Sequence, residues 1–106
     1  MKLGALVLVV SLFVGAIGCS GSASPRTTAI AALKGDAVAG KATYTSKCTA
    51  CHGADAKSGT AKKNLPAEDA SAAYEQIVSG GGGMPPFGSL SDQDVANLWA
   101  YVQTLK

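Results

Sequence analysis

The apolar positions of the chain fall into an unbroken run at the start and three later segments with helical spacing. Leu3 to Ile17 carry no charge, follow the short positive start Met1-Lys2 and end at the small-residue site Gly18-Cys19, so residues 1–18 read as an export signal. The run is shorter than the roughly 20 apolar residues of a membrane-spanning helix. Ser20 to Thr28 is small and polar, and residues 19–35 are expected as a flexible tether. Residues 36–106 are expected as one domain. Its first helix is predicted over about Asp36 to Lys47, capped by Asp36, with Val38, Ala42 and Thr45 near one face. Gly40 and Tyr44, four apart, share a face. A helical glycine costs up to about 1 kcal/mol against alanine, so Gly40 is either tolerated or needed for close packing. Gly53 to Pro66 reads as polar loop. Ala70, Ala73, Tyr74 and Ile77 give an amphipathic stripe to a helix over about Asp69 to Ser79, stopped by Gly80 to Gly83. Ser91 to Asp94 resembles a capping box and opens a last helix with Val95, Leu98, Trp99, Val102 and Leu105 on its buried face. No stretch alternates as a strand and no repeat is visible. The expected fold class is all-α.

Length changes this picture. Of 106 residues about 88 remain after a cut before Cys19. A domain of that size commonly needs a disulfide, a metal or a cofactor to complete its core. The formal charge of +2 includes Lys2 of the signal, and no basic stripe exists, which argues against nucleic acid as a partner. Three cysteines are present, an odd number for an exported chain. Ala16-Ile17-Gly18-Cys19 resembles a bacterial lipobox, with alanine in place of the favoured leucine. A lipid on Cys19 would hold the domain at a membrane surface. The alternative is an ordinary cut after Gly21-Ser22-Ala23.

The other two cysteines stand in Cys48-Thr49-Ala50-Cys51-His52. Thiols at i and i+3 can each add to a vinyl group of one haem, with the adjacent His52 ligating its iron. A thioredoxin-like pair would need a βαβ setting, and a zinc site would need further Cys or His ligands; both are missing, and His52 is the one histidine. For the sixth iron position the downstream candidates are Met84 or a lysine. Met84 sits in Gly80-Gly81-Gly82-Gly83-Met84-Pro85-Pro86-Phe87, between glycines that permit unusual backbone angles and prolines that stiffen it. Thioether sulfur favours reduced iron. The glycine run lacks the Gly-Lys-Ser/Thr of a phosphate loop. Apart from the haem motif, such a methionine is more often a core filler.

Taken together, Gly40 and Tyr44, the haem motif at 48–52, the Met-Pro pair at 84–85, and Leu98 with Tyr101 resemble the class I c-type cytochromes over about residues 36–106. The resemblance implies three main helices around one covalent haem c, with Gly40 and Tyr44 crossing Leu98 and Tyr101. It also implies His52/Met84 low-spin iron, electron transfer through a partly exposed haem edge, and a proline carbonyl holding the histidine ring. Pro66, in Asn64-Leu65-Pro66, is the candidate for that role. The expected function is transfer of single electrons between redox protein partners by a monomer outside the cytoplasm, in the periplasm or on an outer membrane face. A peroxidase-like enzyme with a labile sixth ligand is the alternative, and a sensor would need an output domain for which the chain has no room. Lys47, Lys57, Lys62 and Lys63 lie near the haem motif and read either as a solvated loop or as a charged ring steering an acidic partner.

Overall fold

The computed structural model describes residues 24–106. The expected signal and Cys19 lie outside the described residues. Five helices follow in order: α1 (Pro25–Ala31), α2 (Ala37–Lys47), α3 (Thr49–His52), α4 (Ala70–Ser79) and α5 (Asp92–Gln103), with a 3₁₀ turn at Leu65–Ala67. Among the described residues there is no strand, only an isolated bridge between Gly81 and Met84. The fold of the described residues is all-α.

The architecture turns on the crossing of α2 and α5. A Cβ on Gly40 would stand 1.8 Å from the Asn97 carbonyl oxygen, so the two backbones meet with no side chain between them. One turn on, the rings of Tyr44 and Tyr101 lie 5.4 Å apart, tilted by 57°. At the start of α2, the Asp36 carboxylate caps the helix by accepting from Val38 N at 2.9 Å. Asn97 Oδ1 accepts from Asp36 N at 2.8 Å and from Gln93 Nε2 at 2.7 Å, which ties α5 to the N-terminus of α2. The face expected from Val38, Ala42 and Thr45 is not the packed one: Val38 is 84% exposed, and Ala42 and Thr45 are exposed too. Close approach at Gly40 and the buried Tyr44 ring select the face of α2, and Val38 does not.

Helices α4 and α5 follow the expected patterns. Tyr74 and Ile77 of α4 are buried, and Tyr74 meets Trp99 of α5 edge-on at 6.3 Å. Ser91 and Asp94 form the full capping box. Helix α5 is buried from Val95 through Trp99 because other elements pack on several of its sides.

Helix α1 corrects the expected tether. Ser24 caps it through its hydroxyl, Pro25 occupies its first turn, and Thr27 and Ile30 are buried. Glu75 Oε2 of α4 accepts from Thr27 Oγ1 at 2.8 Å and from Ser24 Oγ at 2.9 Å. These bonds, the Thr27 hydroxyl foremost, hold the Glu75 carboxyl below its ordinary range. Their contribution is present above that range and is lost as pH falls through the lowered native value. Arg26 Nε pairs with Asp92 Oδ1 at 2.9 Å. Small polar residues suggested flexibility, but a Ser-Pro start and one isoleucine suffice once a partner surface exists.

Gly40→Ala should therefore force α2 and α5 apart. The expected loss is about 3 kcal/mol, the upper part of the overpacking range, measured by denaturant unfolding of the haem-bound protein. An unchanged midpoint would mean that the crossing tolerates a methyl group.

Candidate functional site

The haem motif is built where α2 ends. Cys48 is both the last cap of α2 and the first of α3, its N–H bonding Tyr44 O at 2.8 Å. His52 N donates to Cys48 O at 2.9 Å, so the two cysteines and the histidine share one helical turn. Gly53, at φ 80°, ends it, and its carbonyl accepts from the Tyr44 hydroxyl at 2.6 Å. Burial, with Cys48, Tyr101 and Asp55 nearby, pushes that phenol up to about 12.

The segment after the motif folds back on it. Ala61 N donates to Cys51 O at 2.8 Å and Gly59 N to His52 O at 3.2 Å. Asp55 Oδ1 accepts from Lys57 N, Ser58 N and Ser58 Oγ at 2.8–2.9 Å, and these bonds, Ser58 N–H first, bring its carboxyl down to about 2. Ala56 is fully buried here, in a stretch that reads as polar loop.

Met84 comes from the segment between α4 and α5. Gly80 to Gly83 all have positive φ: 68°, 123°, 62° and 89°. Gly81 N donates to Met84 O at 2.8 Å and Met84 N to Gly81 O at 3.1 Å, closing a turn whose two central residues are in the left-handed region, as in type I′ turns. Gln76 of α4 holds this turn, its Nε2 donating to Gly81 O at 2.9 Å and lying 3.8 Å from Met84 Sδ. Sequence reasoning missed Gln76, an exposed polar residue on α4 that no pattern singles out.

These parts enclose a cleft of about 590 Å³. Cys48, Cys51, His52 and Met84 all line it, and Ile77, Trp99 and Val102 contribute apolar surface. The volume lies within the roughly 300–1,000 Å³ of cofactor clefts. Cys48 is buried, and burial pushes its thiol up to about 11, whereas Cys51 is exposed. Burial, and then the Lys63 ammonium, keep the His52 imidazole below its ordinary range, favouring the neutral form that ligates metal. His52 Nδ1 is buried without a hydrogen-bond partner. Two thiols one turn apart, a neutral imidazole and an apolar cleft fit a covalently held haem.

Two expectations meet a different geometry. Pro66 does not join His52: its carbonyl accepts from Gln103 Nε2 at 3.3 Å, and it is not among the residues lining the haem cleft. The Asn64-Leu65-Pro66 segment forms a 3₁₀ turn bonded toward α5. Of the four lysines, Lys47 and Lys63 line the cleft, while Lys57 lines a separate surface pocket and Lys62 lines neither.

Residues 35–102 match the family model described as cytochrome C oxidase, cbb3-type, subunit III. The chain is also similar to cytochrome c6 of Picosynechococcus sp. (strain ATCC 27264 / PCC 7002 / PR-6), at 35% identity over 87 residues, covering 67% of this chain and 74% of the relative. No solved structure matches it. The family match and the cytochrome c6 relative, together with the two-thiol cleft, define a haem-binding electron-transfer protein. The chain belongs to the c-type cytochromes, and its cofactor is one covalently bound haem c.

The haem should accordingly stay with the polypeptide through denaturation and acid–acetone extraction. A Cys48→Ala, Cys51→Ala double variant should lose it entirely to the solvent phase, as read by absorbance of the extract.

Proposed function

We propose that the protein carries single electrons between redox protein partners outside the cytoplasm, with His52 and Met84 as the axial ligands of its haem. The observation that supports this most is that one cleft is lined by one histidine and one methionine, each delivered by a segment with little freedom of its own. The haem supplies the one-electron chemistry. The chain's residues hold it, exclude water from one face and limit the rearrangement that accompanies a change of charge. Lys47 and Lys63 add positive charge beside the cleft, which suits approach by an acidic partner surface.

The glycine turn and Gln76 support the ligand reading. A core filler needs no left-handed turn to present it. The Gln76 amide near the sulfur also draws electron density from it, which favours reduced iron. Met84→Ala should open the iron to carbon monoxide and lower the reduction potential. Gln76→Val should lower the potential in the same direction by roughly 20–60 mV, the equivalent of a hydrogen bond of about 0.5–1.5 kcal/mol on a one-electron couple. Voltammetry and carbon monoxide titration measure both. A wild-type protein that is already high-spin and binds carbon monoxide as fast as Met84→Ala would displace this reading in favour of a small haem enzyme.

A lipid on Cys19 would confine the carrier to a membrane surface, and the use it gives to an otherwise unpaired exported cysteine supports it. Full-length protein should sediment with membranes, and Cys19→Ser should release it or block processing. An intact mass for an unmodified chain starting at Ser24 would rule the anchor out.

A further inference from the structure

We propose that α1 is a strap on the Met84 segment, with Arg26 as its positioning residue, so that α1 sets how readily another ligand replaces Met84 at the iron. This rests on the reading of Met84 as an axial ligand.

The segment between α4 and α5 is fixed at its front by the Gly81–Met84 turn and by Gln76. Behind Met84 its own backbone offers less. Phe87 N donates to Ile77 O at 2.8 Å, and Leu90 N to Phe87 O at 3.0 Å. Arg26 supplies the rest. Its Nη1 donates to Gly88 O at 2.7 Å, its Nη2 to Leu90 O, and its Nε to Asp92 Oδ1 at 2.9 Å. One guanidinium thus grips three points from Gly88 to Asp92. Its planar fork can do this, and a lysine ammonium cannot.

The other end of the strap is equally fixed. Thr27 and Ile30 are buried, and Glu75 of α4 accepts from Ser24 and Thr27. Glu75 also accepts from Ser79 Oγ at 3.1 Å, at the point where α4 ends and the Met84 segment begins. Helix α1 therefore bridges both ends of that segment. It lies outside the 35–102 region that matches the family. Occupancy of the iron by Met84 depends on the ratio of closed to open segment, and each outer bond lost shifts that ratio toward open.

The test uses the full-length haem-bound ferric protein, imidazole as the competing ligand, and amide hydrogen exchange across residues 84–90. Imidazole should bind about tenfold more tightly to Arg26→Gln than to wild type, as expected for loss of a charged hydrogen-bond cluster. The Phe87 and Leu90 amides should exchange faster by a similar factor, at temperatures far below unfolding. Arg26→Lys should not restore either property, and Glu75→Gln should move both in the same direction by loosening the other end. Met84→Ala is the reference for an open site. If wild type binds imidazole as tightly as Met84→Ala, the ligand reading falls and the strap with it. If wild type is closed and Arg26→Gln is equally closed, with unchanged exchange at Phe87 and Leu90, the strap alone is overturned. The same holds if Arg26→Gln only lowers the unfolding temperature.

Discussion

Everything in this molecule depends on two helix backbones touching at Gly40 and Asn97. The contact admits no Cβ, so it fixes the separation of α2 and α5 far more tightly than a layer of leucines would. Cys48 and the α3 turn continue directly from α2, while Trp99 and Val102 of α5 line the cleft. The distance between the attachment turn and the apolar floor is therefore set by close backbone approach at Gly40, with Gly35 also tight against Ala96 of α5. Asn97 reinforces the same joint by accepting the Asp36 N–H, so that a buried amide aligns the start of α2 as well as its middle.

Around that joint the chain economises on apolar residues. The described core is small, and much of the apolar surface of α4 and α5 faces the cleft. A cofactor of haem size completes such a core, as small domains commonly require. This also explains the large share of structure devoted to short hydrogen-bonded loops. The 53–65 segment and the 80–91 segment have few hydrophobic anchors and are shaped by Asp55, the Gly81–Met84 bridge, Gln76 and Arg26.

What could be read from the residues in advance was what periodicity and local chemistry encode. The caps at Asp36 and Ser91, the stripe of α4, the buried face of α5 and the haem turn all follow from spacing within one element. The packed face of α2 came from the Gly40–Tyr44 pair and the family resemblance, not from Val38, Ala42 and Thr45, because a glycine contact carries no hydrophobic signal. Helix α1 was hidden by its polar composition, although Ser24-Pro25 is a helix-start pattern. Arg26, Gln76 and Gln103 act through partners 62–66, 5–8 and 37 positions away, distances at which no local pattern speaks. Pro66 shows the reverse case: a residue of the right type in the right order, whose carbonyl is turned to another partner.

The glycines at 81, 82 and 83 carry one further consequence. All three line the haem cleft, and all three hold positive φ. Handedness therefore weighs against side chains there, whatever surrounds them. Every L-residue is disfavoured at these positions by its own backbone, while a residue of mirror-image configuration would fit the angles. Natural translation offers only one residue without a hand, and the bend before Met84 is written almost entirely in it.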